Sequence, residues 1–563
     1  MKLNEMKWLT PSAIWAAFML AAASNVAAQV TDARISELIR EAASRAGVTQ
    51  TAATTPPSAP AGAVQGDRPV VALTLDDAIK LALDRNLDIS VQRLNPQAFD
   101  FSLASLRSVY RPTLISTVSQ QSQTNPSTST ISGAAVGTGI VKSTTTYNGG
   151  LSQNVPWGGG SFSATLNNDR RTTTNTTALV NPNFAANWSA TYTQPLMRNF
   201  KIDNTRQQIV VTRLNQDISE LQLQATIINT VSNVRNAYWD YVFAVQSVEV
   251  ARRSVGLAEQ LVRDNQTRVE VGTMAPIDVI QAQSQAATQR QNLAIAEGTR
   301  RTNELVLKRL IVSGTQDPNW NGAIDPLDRP AFEAQTVDVT AAVRRALEVR
   351  TDLAQVRKNL EVNDVTLQLL TNQTLPQVDL SARYGLVGQG GTQFISSGSG
   401  INRVVTGTIP GGYSDALSTL FGRNYPTWNV GVSVSYPIGT SAQDASLARA
   451  RLQASQVDAQ LRQIELQIAT DVTNAATQVQ NNVERVQAAQ AAREFAQRQL
   501  EAEQSKFEVG MSTNYFVVQS QRDLATAQNN ELSAILAYRR SVVELERLQQ
   551  TSTSSANITI LGR

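Results

Sequence analysis

Two periods of apolar side chains alternate along this chain. Over 203–269 and 441–508 the apolar positions return at a helical spacing. In the second stretch Val457, Leu461, Ile464, Ile468, Val472, Ala475, Val479, Val483 and Val486 follow one another by three or four residues, a mean of about 3.6. A strict heptad would give 3.5 and a left-handed supercoil, so this stripe predicts nearly straight helices standing side by side like staves. An ordinary long coiled coil also fits it. Neither Pro nor Gly interrupts 441–508, which predicts a rod of roughly 100 Å. A compact domain, whose helices average about 12 residues, does not hold such an element. A short break and a returning helix follow each long pattern, over 276–310 and 514–549. Shorter helices are predicted over 75–107 and 339–372.

Between the helical stretches the period falls to two. Trp428, Val430, Val432, Val434 and Tyr436 alternate with Asn429, Gly431, Ser433 and Ser435. The same alternation runs through 378–387 and through Phe184, Ala186, Trp188, Ala190 and Tyr192. With 113–123, 147–156 and 161–170 the reading is six strands per chain, a tight turn at Trp157–Gly160, and polar, Gly-rich loops over 124–146 and 388–426. Each strand is about the length of one that crosses a bilayer at a tilt. Phe184, Trp188, Tyr192, Trp428 and Tyr436 are candidates for a lipid-facing aromatic girdle. A half-buried strand of a soluble sandwich shows the same alternation. In lipid, however, six strands fall short of the roughly eight needed to close a barrel, and an open edge there has no water to satisfy it. Strands in lipid would therefore require several copies to close one sheet.

The body of the chain is duplicated. Residues 75–83 align with 339–347 at an offset of 264 that holds without a gap to Pro112 and Pro376. Glu270-Val271-Gly272 aligns with Glu508-Val509-Gly510 at an offset of 238, as do Gln281 and Gln283 with Gln519 and Gln521. The first half therefore carries extra chain between its two aligned stretches. Residues 1–28 read as a secretory signal, with Lys2 and Lys7, an apolar run from Ala13 to Leu20 and a small-residue site at Val26-Ala27-Ala28. An N-terminal segment and linker (29–70) follows, with an amphipathic helix over 31–46 and a Pro/Ala/Thr-rich stretch over 54–66. Two repeats, 71–338 and 339–550, and a tail, 551–563, complete the expected organisation. No stretch after the signal has the roughly 20 apolar residues of a membrane helix.

Composition narrows the chemistry. The chain of 563 residues has no His and no Cys, which removes thiolate nucleophiles, imidazole acid–base work, Cys/His metal sites and an N-terminal lipid anchor on Cys. A net charge of +3 is too even to argue for nucleic acid. The most visible acid pair, Asp76-Asp77, sits at a helix start, where acids serve the cap and the dipole.

Duplicated halves, the opening Leu75, Ala78, Ile79, Ala82, Leu83, the Gln194-Pro195-Leu196 passage and the Val-Gly turns at 271–272 and 509–510 together resemble the TolC-type outer membrane efflux protein family. The resemblance covers nearly all of 71–550 and rests on order and spacing. It implies an α + β membrane protein: a homotrimeric outer-membrane β-barrel continuous with a long periplasmic α-helical barrel, built from two structural repeats per chain. It implies a passive exit duct of a tripartite efflux or type I secretion system, with no cofactor and no enzymatic activity. Its partners would be outer-membrane lipid, a periplasmic adaptor and an inner-membrane transporter. Val271, Gly272, Thr273, Val509, Gly510 and Met511 become the adaptor-docking turns. Relatives close their tips with acidic rings and basic ties; here an acid is kept at Asp278, while the equivalent positions of the second repeat are Phe516 and Gln519, and a basic tie is replaced by Ser512. A constriction of Phe516 with polar support from Gln519 and Asp278 is the resulting expectation. The usual wall of the family has 12 strands per trimer; six per chain would give 18, unless the extra hairpin 147–170 lies off the wall. The competing reading is an exported structural coiled coil, such as a filament subunit or a surface stalk.

Overall fold

A computed structural model describes residues 70–127, 138–329, 332–398, 404–439 and 441–551. The signal, the 31–46 helix, the linker and all but the first residue of the tail lie outside the described residues. The chain divides into two compact units, described in turn.

The first unit draws on the chain up to Ala98, on Asp217–Val356 and on the chain from Gln460. It opens with strand β1 (Val70–Leu73), then helices α1 (Leu75–Arg85) and α2 (Leu87–Ser108). The long helices α3 (Asn204–Glu270) and α9 (Ala442–Glu508) return through α4 (Pro276–Ile311) and α10 (Asn514–Leu548). Between the hairpins come α5 (Pro318–Asn321), β6 (Ala323–Pro326), α6 (Val339–Val349) and α7 (Thr351–Gln373). Shifting α1 by 264 residues lands on α6, and shifting α3 by 238 lands on α9, residue for residue. The duplication read in the sequence is thus a duplication of elements.

The short helices end earlier than expected. Each predicted helix breaks in two, because Asn86 and Arg350 take extended backbone. Asn86 then caps α2, its Oδ1 accepting from the N–H groups of Asp88 and Ile89. At the start of α1, Thr74 Oγ1 accepts from the Asp77 N–H at 3.2 Å and donates to the Asp77 carboxylate at 2.7 Å. Asp77 is therefore engaged in capping.

The described core of this unit falls into two clusters, a small one of Leu261, Ala282, Leu500, Phe507, Val517 and Leu524 behind the hairpin turns and a large main one. The predicted stripe of α9 supplies Ile468, Val472, Val479 and Val486, all buried, with Leu461, Ile464, Ala475 and Val483 packed at its margin. Each fully buried aliphatic side chain is worth about 1.5–3 kcal/mol. Three buried tyrosines hold the connecting segments. Tyr238 donates to Leu73 O (3.0 Å) and Asp328 Oδ2 (2.7 Å), Tyr241 to Ile324 O (2.5 Å) and Tyr538 to Glu333 O (2.6 Å). Two of these reach a parallel pair, β1 with β6, whose strands of four residues are too short to leave a period in the sequence.

The second unit, Phe99–Gln216 with Arg357–Ala459, contains a seven-stranded sheet among the described residues. Its strands are β2 (Thr113–Pro126), β3 (Gly139–Asn154), β4 (Ser161–Thr173), β5 (Val180–Pro195), β7 (Gln377–Ser397), β8 (Val404–Ile409) and β9 (Pro426–Ser435). The path is β2-β3-β4-β5-β7, with β9 and β8 both on the far side of β7. All pairings are antiparallel. The strands expected over 147–156 and 378–387 are longer than predicted, and β8 was missed. The first half of β3 is a Ser/Thr run with no apolar alternation to betray it. The outer half of β7 is Gly-rich. Within the expected loop 388–426 lies a helix, α8 (Tyr413–Phe421), and it explains those glycines. A methyl group at Gly388 would meet the carbonyl oxygen of Ala416, and one at Gly390 that of Gly412. The helix thus lies directly on the backbone of β7.

Asp317 links α1 to the end of α4 and gives a stability test. Burial opposes its charge, but the N–H groups of Asn319 and Ser313 and the Arg85 guanidinium, 3.0 Å away, outweigh that and hold its carboxyl below the usual carboxylate range. A depressed folded-state pKa adds stability that is present above the ordinary Asp pKa and lost as pH falls through the lowered value. Asp317→Ala should cost about 2 kcal/mol at pH 7, and chemical denaturation at pH 7 and at pH 3 should show that difference shrink in acid.

Candidate functional site

Two features of the units carry functional information: the two faces of the sheet, and the turns that end the long helical hairpins.

Strand register decides what each face of the sheet presents. Tyr192, Ala190, Trp188, Ala186 and Phe184 of β5 pair with Phe162, Ala164, Leu166, Asn168 and Arg170 of β4. On the other side they meet Ala382, Tyr384, Leu386, Gly388 and Gly390 of β7. Beyond β7, Val434, Val432, Val430 and Trp428 of β9 fall in the same set. Leu151 and Tyr147 of β3 and Leu114 and Val118 of β2 complete it. One face is therefore apolar across six strands. The alternate positions are Thr117, Ser119, Thr146, Asn148, Ser163, Thr165, Asn187, Ser189, Ser381, Arg383, Asn429 and Ser433. Cross-strand hydroxyl pairs sit on this polar face: Ser119 with Thr146 at 2.5 Å and Thr165 with Ser189 at 3.1 Å. No helix among the described residues is long and apolar enough to cross a membrane.

The expected girdle residues are placed unequally. Trp188 packs edge-on against Tyr384 on the apolar face. Trp428 is 76% exposed there. Phe184 instead lies under α8, against Tyr413, whose hydroxyl donates to Asn168 Oδ1 at 2.9 Å. So α8 covers the place where the apolar face turns polar. Tyr192 turns its hydroxyl to Gln194 Oε1 at 2.7 Å, and Tyr436 lies exposed just past β9. Gln194 itself is buried and donates to Gly158 O at 2.6 Å. This is what the Gln-Pro-Leu passage does: it ties the Trp157–Gly160 turn to the point where strand gives way to helix.

The two hairpin turns are built alike. Gly272 and Gly510 both have φ of +78°, a left-handed conformation that closes a helix and that glycine alone adopts freely. Thr273 N donates to Arg268 O, and Met511 N to Lys506 O. Nothing lies within 4 Å of where a Cβ would stand on either glycine. Val271, Val509 and Met511 are each about two-thirds or more exposed. The predicted docking residues thus form two open, apolar-tipped turns.

Behind the turns the repeats part company. Asn265 and Arg268 reach from the first hairpin to the second. Asn265, wholly buried, donates to Asn514 Oδ1 at 2.9 Å, and Asn514 donates to Asp278 O at 3.3 Å. The Arg268 guanidinium stacks 4.3 Å over Phe507 and donates to its carbonyl at 3.2 Å. The repeat equivalents, Glu503 and Lys506, pair with each other at 2.6 Å instead. Lys506 and then Ser512, which donates to Glu503 at 2.8 Å, hold the Glu503 carboxyl below its usual range. Ser512, expected to leave the tip without a basic tie, is thus bound to its own hairpin. Of the predicted constriction residues, Asp278 joins the Asn265–Asn514 knot through its carbonyl. Phe516 stands exposed, edge-on to Tyr515 at 5.6 Å. Gln519 donates to Asp523 at 2.9 Å along its own helix. Sequence reading missed Asn265, Arg268 and Asn514, because none of them is repeated in the other half.

A profile of the outer membrane efflux protein family matches residues 159–312 and 342–549, more than half of the chain. The chain belongs to the outer membrane efflux protein family. A relative among characterised proteins is the pyoverdine export outer membrane protein OpmQ of Pseudomonas aeruginosa, 24% identical over 333 residues. That match covers 58% of this chain and 62% of OpmQ, less than two thirds of its length. Solved structures share the fold. CusC aligns with a TM-score of 0.60 at 15% identity, over 84% of this chain and 91% of that one. The Campylobacter jejuni outer membrane channel CmeC aligns at 0.59 and 15%, over 87% and 90%, and the outer-membrane channel OprN at 0.58 and 14%, over 84% and 89%. As a member of this family the chain is an outer-membrane protein.

Asn514→Ala should take the 2.9 Å acceptor from the buried Asn265 amide and the 3.3 Å donor from the Asp278 carbonyl, leaving only their 3.5 Å contact with each other, a penalty of about 1 kcal/mol at these turns. Hydrogen exchange over 265–280 and 507–520 should accelerate, while exchange in the core around Val472 and Tyr538 stays as in the parent.

Proposed function

We propose that the chain is the exit duct of a tripartite export system, a passive conduit through the outer membrane. Three copies close the sheet into a barrel, with the apolar face on lipid and the polar face on the aqueous bore. The helices of the two repeats, 71–338 and 339–550, line a periplasmic passage. The observation that carries this reading is the sheet itself: one face apolar across six strands, the other hydroxyl- and amide-bearing, in a member of an outer-membrane efflux family. The open turns at Val271-Gly272-Thr273 and Val509-Gly510-Met511 receive a periplasmic adaptor, where exposed Val and Met side chains supply apolar contact and glycine lets a partner backbone approach. An inner-membrane transporter supplies the energy, since a conduit needs only a lining and a gate. Phe516, exposed near the start of α10, narrows the tip when three copies assemble and excludes water there.

Trimers purified in detergent should conduct ions in planar bilayers, and Phe516→Ala trimers should leak severalfold more in the closed state. The parent has no Cys, so Thr273→Cys and Met511→Cys give clean crosslinking sites; both should capture one periplasmic partner in cells. An unchanged leak removes Phe516 from the gate. Material that is a water-soluble monomer without detergent ends the duct reading.

A further inference from the structure

We infer that each copy contributes six strands to the barrel wall, with the β3–β4 hairpin inside the wall, so that a trimer closes with eighteen. This rests on the duct reading above and adds the composition of the wall and the surface by which copies join.

The hairpin is an integral part of the sheet. β3 pairs with β2 without interruption from Thr113↔Ser152 to Pro126↔Gly139, and β4 pairs with β5 from Ser161↔Thr193 to Arg171↔Asn183. β2 and β5 are separated by the hairpin in the strand order. The side chains agree. Tyr147, Leu151, Phe162, Ala164 and Leu166 fall on the apolar face with Trp188, and Asn148, Thr146, Ser163 and Thr165 on the polar one. A hairpin folded off the wall has no reason to carry that alternation in register with its neighbours.

The width is six at both ends of the sheet. β9 occupies the far side of β7 over Gln377–Leu386, and β8 occupies the same side over Gln393–Ser397. They succeed one another along one edge, so the seventh strand extends the sixth position and adds none. Six strands paired antiparallel throughout leave β2 and β9 pointing in opposite directions. Setting β9 of one copy beside β2 of the next therefore continues the antiparallel ladder across the seam. In hydrocarbon the unpaired N–H and C=O groups of these edges must be met by such a strand, and a second copy is the occupant whose direction and length fit. A barrel of 16–18 strands leaves an aqueous channel, so a wall of this width is itself no constriction.

The test is the full-length protein, purified in detergent, imaged for strand count and probed with cysteine pairs on the polar face. Thr117→Cys with Asn148→Cys, and Thr165→Cys with Ser189→Cys, should each form an intrachain disulfide. Asn429→Cys combined with Cys scanned through Ile115, Thr117, Ser119 and Gln121 should give covalent dimers and trimers at one or two of the four positions. The map should show eighteen strands. A threefold wall of twelve, with the hairpin pairs unoxidised, overturns the inference and leaves the duct reading standing. Hairpin pairs that oxidise while every seam pair fails and no closed wall is seen overturn both.

Discussion

A backbone amide in hydrocarbon has no water to turn to, and the organisation of the sheet follows from that constraint. Strands β3, β4 and β5 have a strand on either side, β7 has β9 and then β8 on its far side with 387–392 between them, and every pairing in this sheet is antiparallel. The register places apolar side chains on one face over six strands. Where that face gives out, at Asn168 and the Gly388–Gly390 stretch of β7, helix α8 covers it and Tyr413 supplies the hydrogen bond to Asn168. Among the described residues the outer edges of β2, β8 and β9 remain without a neighbouring strand. The apolar face and the need for company are thus two consequences of one rule.

The helical unit obeys a different economy. Its backbone is satisfied within each helix, so its long elements need only a narrow apolar stripe to associate. The duplication then sets the geometry: matching element lengths, identical glycine turns, equivalent caps. Function enters where the copies diverge. Asn265 and Arg268 bind across to the other hairpin, while Glu503 and Lys506 keep to their own. Two alike turns thus stand on unlike supports.

Legibility in the sequence followed the strength of the period. Helices α3, α4, α9 and α10 could be read because their stripes run for many turns, and the two offsets placed the matching boundaries in both halves. Strands β4, β5 and β9 could be read because Val and aromatic residues alternate with Ser and Asn. The first half of β3 could not, since a Ser/Thr run has no apolar side. The outer half of β7 could not, since its glycines answer to α8, whose residues come more than 20 positions later. The breaks at Asn86 and Arg350 were hidden inside helical patterns, and the tyrosine hydrogen bonds depend on partners that only the fold brings near. At the tip, the glycines and exposed apolar residues were visible through repetition and family resemblance. The Asn265–Asn514 knot was not, because it joins positions with no counterpart.

That knot bears on how such a tip would open. Moving one hairpin against the other breaks Asn265 with Asn514, Asn514 with the Asp278 carbonyl, Arg268 with Phe507, and Arg522 with Gln285, which meet at 2.7 Å. At about 1 kcal/mol net for each of these four contacts, the polar links contribute about 4 kcal/mol, and the apolar cluster of Leu261, Ala282, Leu500, Phe507, Val517 and Leu524 adds to that. Burying apolar surface on Val271, Val509 and Met511 against a partner would return about 25 cal/mol per Å², a term of opposite sign. Those three side chains are large enough and exposed enough to supply it. Hairpins joined by a few modest hydrogen bonds and a small apolar cluster need no titrating group to hold or release them, and neither histidine nor cysteine enters these contacts.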